Sequence, residues 1–156
     1  MTEVKRVLIV EAPYYRHIAD ELRAGAVEAL DAAGIEYDLI AVPGAFEIPG
    51  AIALAAGLHL PANRRLAQHY DGYLALGCVI RGETSHYDYV CGESARGLQD
   101  LALHHGLAIG FGILTVENEA QALARASRSK KNKGAEAVGA ALAMIALRQR
   151  FQVDDI

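Results

Sequence analysis

The sequence has few aromatic residues and few cysteines. Its 156 residues include no Trp, three Phe, seven Tyr and two Cys. Two cysteines without CxxC or CxxH spacing exclude a disulfide framework and give no zinc-binding pattern. No apolar run approaches the roughly 18 residues that a membrane span needs, and only a short one follows Met1. We therefore expect a cytoplasmic protein with no membrane partner.

Neither sign of charge dominates the chain. Fifteen Lys and Arg stand against nineteen Asp and Glu, which leaves a net charge of −4. This balance argues against a nucleic-acid partner, since such binding relies on cations that neutralise phosphates. The cations are nevertheless clustered, because five of the nine positions from Arg125 to Lys133 are basic. A solvated loop and an anion-binding patch are both open interpretations of this cluster.

The apolar content consists mainly of small residues. Hydrophobic residues make up 53% of the chain, and 29 alanines and 15 glycines outnumber the ten aromatic residues. This content excludes a disordered chain, and the length predicts one domain over residues 1–156. We expect residues 1–5 and 152–156 to fray.

Short apolar runs alternate with segments of helical periodicity. Four runs predict strands at 7–10, 37–42, 73–80 and 107–116, and the first and third have the continuous apolar pattern of buried strands. Helices are predicted at 18–30, 48–58, 87–106, 118–126 and 134–150, and an irregular connection at 59–71. This alternation predicts an α/β fold with a four-stranded parallel sheet between helices on both faces.

Three local signals mark helix ends. Gly34 lies where a helix C-terminus favours a left-handed residue. Ser85 and Asp88 have the spacing of a capping box, which predicts that Ser85 caps the next helix with its side chain. Asn118, followed three residues later by Gln121, predicts another N-cap.

A parallel sheet also predicts where a ligand binds. Ligands lie beyond the carboxyl ends of the strands, at a switch in strand order. Segments 11–17, 43–49, 81–88 and 115–119 follow the four predicted strands.

The segment from Arg81 to His86 joins a strand to a helix N-terminus. Free N–H groups around Thr84 would bind an anion there, with His86 placed to move protons. Ordinary helix capping is the alternative interpretation.

No lysine follows a glycine-rich loop, and Gly110 and Gly112 fall inside a strand, so a nucleotide P-loop is not indicated. The adjacent histidines His104 and His105 are interpreted as part of a helix end and not as a metal site.

Four blocks of sequence together resemble the lumazine synthase family. They are VPGAFEIP at 42–49, GCVIRGETSHYDYV at 77–90, GILTVEN at 112–118 and NKG at 132–134. Their order and spacing match the family from about residue 6 to about residue 151.

The resemblance implies an activity and an assembly. The activity is the condensation of 5-amino-6-(D-ribitylamino)uracil with 3,4-dihydroxy-2-butanone 4-phosphate to 6,7-dimethyl-8-ribityllumazine, with release of phosphate and water in riboflavin biosynthesis. It implies small-molecule substrates, no cofactor and no metal. It also implies a flavodoxin-like three-layer sandwich and a homopentamer with active sites between neighbouring subunits.

The resemblance further implies roles for individual residues. His86 is the proton-transfer residue. The ribitylaminouracil substrate is bound by Tyr14, Ala45, Phe46, Glu47, Cys78, Val79, Ile80 and Phe111. The phosphate-bearing substrate is bound by Glu83, Thr84, Arg125 and Lys133. Cys78 to Ile80 act through backbone groups, Phe111 faces the adjacent subunit's substrate, and Glu83 turns its carboxylate away from the phosphate.

The sequence departs from the common family pattern at two places. Tyrosines replace the usual Phe or Trp after the first strand, and alignment favours Tyr14 over Tyr15 as the ring that stacks on the pyrimidine. The loop at 127–131 lacks the glycine-rich bend of capsid-forming members. A pentamer or a pair of pentamers is therefore favoured over a sixty-subunit shell.

Two other functions are compatible with this fold. A non-catalytic lumazine-binding or flavin-binding paralogue would keep the pocket, but it would be free to lose His86 or Arg125, and both are present. A receiver-type or structural shell protein would not explain the Ala45 to Glu47 segment.

Overall fold

The computed structural model describes residues 5–66 and 68–152. The strands are β1 (Arg6–Glu11), β2 (Glu36–Ala41), β3 (Gly72–Ile80) and β4 (Ile109–Val116). The helices are α1 (Arg16–Ala32), α2 (Ile48–Ala55), α3 (His86–His105), α4 (Glu119–Ala126) and α5 (Lys133–Arg150), and a 3-10 turn (Ala45–Glu47) precedes α2. The expectation that residues 1–5 and 152–156 fray falls almost wholly on 1–4 and 153–156, which lie outside the described residues.

All four strands are parallel, in the order β2-β1-β3-β4. This order defines a flavodoxin-like sheet and confirms the predicted fold class. The four strands lie within two residues of their predicted bounds. The predicted helix at 48–58 is shorter, because α2 ends at Ala55. In its described residues, 59–66 and 68–71, the connection contains no helix or strand, as predicted.

The two central strands are buried because helices cover both faces of the sheet. In β1 every residue from Val7 to Val10 is buried, and β3 is buried from Gly72 to Gly77. Both strands therefore read as continuous apolar runs. The edge strand β2 is largely exposed, and Leu39 and Ile40 face outward.

The helices form two layers. Buried side chains of α1, α4 and α5 pack on one face of the sheet, where Leu22 and Val138 lie in the same apolar cluster as Ile9. On the opposite face α2 and α3 contribute Ile52 and Leu98 to a second cluster. The sheet thus separates two cores, which is the predicted three-layer sandwich.

Small residues let these layers approach closely. A Cβ at Gly110 in β4 would overlap the backbone oxygen of Ala137 in α5. A Cβ at Gly134 would overlap the backbone oxygen of Leu22, where α5 crosses α1. Because interiors are close-packed, side chains at these positions would force the elements apart. Part of the unusual glycine content is therefore a packing requirement.

Two of the three predicted helix ends are confirmed. Gly34 has a φ of +70° just beyond α1, and the Asn118 side chain accepts a hydrogen bond from the Gln121 N–H at 2.9 Å. The predicted capping box is wrong. Ser85 has helical backbone angles and makes no side-chain cap, and the His86 N–H instead donates to the Thr84 hydroxyl at 3.3 Å.

Within residues 5–66 and 68–152, none of the helices has the length and hydropathy of a membrane span.

Candidate active site

A cavity of about 320 Å³ opens at the carboxyl ends of β1 and β3. Residues from three of the four predicted segments line it. They are Ala12, Tyr14, Tyr15, Gly44, Ala45, Cys78, Val79, Ile80, Gly82, Thr84, His86, Tyr87 and Val90. The strand order turns between β1 and β3, so this is the switch point of the sheet. The predicted location of a ligand site is therefore a real cavity.

The floor of the cavity is the end of β3. The last three residues of β3, Cys78, Val79 and Ile80, are half-buried and line the cavity. Burial raises the pKa of the Cys78 thiol to about 11, so the sulfur stays protonated near neutral pH. A protonated thiol is a poor nucleophile, which agrees with a site that uses the backbone of this strand.

One wall carries two tyrosines with different surroundings. The Tyr14 side chain is 75% exposed, whereas Tyr15 is half-buried against the α1 side of the core. Their rings meet edge to face, with centroids 4.9 Å apart and an interplanar angle of 78°. Desolvation raises the pKa of the Tyr15 phenol. Tyr14 is thus the ring with a face open to a ligand.

The opposite rim is the first turn of α3. His86 and Thr84 both line the cavity and are exposed. Within the described residues, no acceptor is found for the backbone N–H groups of residues 82–85. Free N–H groups at a helix N-terminus attract anions, because the helix dipole adds to their partial positive charge.

The 3-10 turn before α2 supplies one lining residue. Ala45 is buried and faces the cavity, while Phe46 and Glu47 lie beside it and are exposed. The Glu47 carboxylate folds back toward Gly44, where an added Cβ would lie 3.2 Å from Oε2.

Six predicted site residues are absent from the cavity lining of their own chain, and two of them are Phe46 and Glu47 beside it. Glu83 is exposed on the loop above the cavity. Phe111 is 51% exposed on edge strand β4, against α3. Arg125 in α4 donates to the Gln121 backbone oxygen at 3.1 Å. Lys133 pairs with Glu136 at 2.8 Å. A single chain therefore does not bring Arg125 to His86.

One residue of the basic cluster at 125–133 makes ion pairs with a distant part of the chain. Arg128 reaches α1, where its guanidinium pairs with Glu21 at 2.9 Å and Glu28 at 2.7 Å. The hydrogen bonds from Arg128 also hold the pKa of Glu21 below its usual value. These ion pairs hold the loop against α1, so Arg128 has a structural role in the cluster.

Sequence reasoning gave no role to several residues at the site. Tyr87 and Val90 line the cavity, and Arg81 lies beside it with its guanidinium 4.3 Å from the centre of the Tyr87 ring. All three belong to the 77–90 block, so the block itself was the available signal. Among the described residues, no group of three or more His, Cys, Asp or Glu is placed to hold a metal ion.

The fold and the cavity define an α/β protein with a flavodoxin-like sheet and a cavity at its switch point. A family model described as 6,7-dimethyl-8-ribityllumazine synthase matches residues 4–149. The chain therefore belongs to the 6,7-dimethyl-8-ribityllumazine synthase family, and it is an enzyme of riboflavin biosynthesis.

Curated relatives agree with this assignment. The chain is 57% identical over 145 residues to the 6,7-dimethyl-8-ribityllumazine synthase of Bartonella bacilliformis, covering 93% of this chain and 91% of that protein. It is 57% identical over 146 residues to the enzyme of that name from Novosphingobium aromaticivorans, covering 94% and 98%. It is 54% identical over 153 residues to 6,7-dimethyl-8-ribityllumazine synthase 1 of Rhizobium meliloti, covering 97% of each chain.

Proposed function

We propose that the chain condenses 5-amino-6-(D-ribitylamino)uracil with 3,4-dihydroxy-2-butanone 4-phosphate, forming 6,7-dimethyl-8-ribityllumazine and releasing phosphate and water. The observation that carries this proposal is the switch-point cavity. It brings Tyr14, Ala45, the end of β3 and His86 together from three separate segments. These are positions to which the family resemblance assigns substrate contacts.

The pyrimidine substrate is proposed to lie between Tyr14 and the end of β3. The open face of Tyr14 stacks on the heterocycle, since a phenol ring keeps its π face. Backbone groups of Cys78, Val79 and Ile80 bind the pyrimidine edge. The ribityl chain extends toward Ala45, Phe46 and Glu47, where an exposed carboxylate can accept hydrogen bonds from hydroxyl groups.

The phosphate group is proposed to bind above the first turn of α3. The N–H groups of 82–85 and the Thr84 hydroxyl donate to it, and the exposed Glu83 side chain turns into solvent. Arg125 and Lys133 complete this site from a neighbouring subunit. Phe111 likewise reaches the neighbour's pyrimidine substrate, because within its own chain it lies on the far edge of the sheet.

The chemistry needs orientation and proton transfer more than a strong nucleophile. The 5-amino group of the uracil attacks the substrate ketone, and loss of water gives a Schiff base. Elimination of phosphate and closure of the second ring by the ribitylamino nitrogen, with loss of water, complete the product. Holding both substrates in one cavity supplies most of the acceleration, and His86 moves protons to the departing hydroxyl groups.

The functional unit is proposed to be a homopentamer of single domains, each spanning residues 1–156, with a pair of pentamers as the larger alternative. Exposed Phe111 and Leu103 would be buried between subunits. The enzyme is proposed to act in the cytoplasm without metal or cofactor. Cys78 and Cys91 are free thiols, as a reducing compartment requires.

A direct assay tests the proposed reaction. Purified protein is mixed with both substrates, and the lumazine product is followed by absorbance. Formation of product requires both substrates and saturates with each. Binding of lumazine or riboflavin without product formation would instead support a non-catalytic protein.

His86→Ala tests the proposed proton transfer. We expect kcat to fall at least about tenfold, which corresponds to about 1.4 kcal/mol of activation free energy. The thermal midpoint should stay close to that of the parent, because the side chain is exposed. An unchanged rate would remove His86 from the mechanism.

A further inference from the structure

Arg81 connects three elements beside the cavity. It is the first residue after β3, and its N–H donates to the Val116 backbone oxygen at 2.9 Å, which extends the pairing between β3 and β4. Its backbone is therefore anchored to the sheet. The side chain extends from this anchor toward the loop after β4 and the first turn of α3.

The guanidinium group makes three contacts of different kinds. Its Nε donates to Glu117 Oε2 at 2.8 Å, and Nη1 lies 3.6 Å from Asp88 Oδ1 in α3. Its Cζ lies over the Tyr87 ring, 4.3 Å from the ring centre. Only an arginine combines a planar fork for two carboxylates with stacking on an aromatic face.

Both acidic partners are tied to elements of the proposed active sites. Tyr87 and Asp88 directly follow His86 in the first turn of α3. The Glu117 N–H donates to the Gln121 side chain at 2.8 Å, and Gln121 lies in α4, the helix that carries Arg125. Arg81 therefore links the turn that holds His86 to the helix that holds Arg125.

We propose that Arg81 is a positioning residue that holds the first turn of α3 against the β4–α4 loop, and so fixes His86 and the phosphate-binding N–H groups. The proposal rests on the proposed function of this site. The contact with Arg81 also gives the Asp88 carboxylate a partner other than the predicted capping box. Arg81 is absent from the cavity lining, and its Nε is engaged by Glu117, so a positioning role is proposed for it and not a substrate contact.

Kinetics of Arg81→Ala separate positioning from folding. We expect kcat to fall and KM for the butanone phosphate to rise, together lowering kcat/KM about tenfold or more, because a misplacement of about 1 Å can cost that much. KM for the ribitylaminouracil should change less than about twofold, since Tyr14 and the end of β3 are untouched. The thermal midpoint should barely move, because exposed ion pairs contribute little to stability.

Three further variants make the test specific. Arg81→Lys keeps the charge without the fork and should recover part of the loss. Adding Glu117→Ala to Arg81→Ala should cost little more than Arg81→Ala alone, because the two residues act as one unit. Arg96→Ala is the matched control, since Arg96 pairs with Glu93 and Asp100 further along α3 and should behave like the parent.

Hydrogen exchange tests, without any assay of activity, whether Arg81 clamps the first turn of α3 to the β4–α4 loop. The hydrogen-bonded amides of Asp88, Tyr89, Glu117 and Gln121 should exchange faster in Arg81→Ala and not in Arg96→Ala. Unchanged exchange would overturn the clamp whatever the kinetics show. Faster exchange with unaltered kinetics in an active enzyme would overturn the positioning role. If the parent makes no product, the proposed function fails, and the exchange data alone decide whether Arg81 holds the turn.

Discussion

The chemical properties of single side chains around the cavity depend on how deeply each one is buried. Cys78 and Tyr14 line the same cavity, but Cys78 is half-buried at the end of β3 and Tyr14 is exposed on the loop after β1. Burial raises the pKa of Cys78 and leaves the thiol unreactive, whereas exposure leaves a face of Tyr14 open for stacking. The resemblance assigned the same two roles, and the structure supplies a physical reason for each.

The high pKa of Cys78 predicts slow alkylation. With a pKa of about 11, the thiolate fraction at pH 8 is about a thousandth, so Cys78 should react with iodoacetamide about a hundredfold more slowly than an unhindered cysteine. Its rate should keep rising through pH 10. Peptide mass spectrometry of the labelled protein measures this, with Cys78→Ser as the control that assigns the signal. A rate equal to that of free cysteine at pH 8 would contradict a buried thiol.

Packing of whole elements depends on small residues at crossing points. In α5, Gly134 meets the backbone of α1, while Gly139 on the same helix has no heavy atom within 4 Å of an added Cβ. The two positions have the same residue and the same helical backbone, but only one of them is required to be small. Composition alone cannot separate these two kinds of glycine.

This difference predicts opposite effects of one substitution. Gly134→Ala should destabilise the fold by about 1–3 kcal/mol, because the methyl group forces α5 away from α1. Gly139→Ala, the matched control, should stabilise it by about 0.5–1 kcal/mol by removing backbone freedom from the unfolded chain. Chemical denaturation of both variants measures the free energies of unfolding. Equal effects at the two positions would mean that α5 does not pack on α1 as described.

At the scale of the whole molecule, one chain holds two separate parts of the proposed site. His86 lies on the cavity, whereas Phe111, Arg125 and Lys133 lie outside its lining. If each chain lends those residues to a neighbour, every complete site needs two subunits. The proposed pentamer would then be a requirement for catalysis, because neither part suffices alone.

Mixed assemblies test this division. Co-expressed His86→Ala and Arg125→Ala subunits should regain activity, because random mixing at equal amounts gives about one site in four with both residues intact. Each variant assembled alone should stay impaired, with Arg125→Ala showing a raised KM for the butanone phosphate. Activity is measured by product formation and subunit number by light scattering. No recovery in a verified mixture would place both residues in one subunit's site.

The sequence by itself determined the local structure. Apolar runs at β1 and β3, the helical periodicity of α1 and the cap at Asn118 depend on neighbours within a few residues, so they could be predicted closely. The 42–49 and 77–90 blocks also indicated the family, because they carry the site residues as contiguous sequence. The predicted roles of these residues stay predictions that the variants above address.

Only the tertiary structure decided which segments meet. The order β2-β1-β3-β4 brings the ends of β1 and β3 together, and strand order arises from long-range packing that no local pattern records. The capping box was wrong because the cap lies one residue earlier: Ser85 already has helical backbone angles, and the Thr84 hydroxyl accepts the His86 N–H. The high glycine content likewise has its reason in the tertiary structure, because Gly110 and Gly134 let β4 and α1 approach α5 closely.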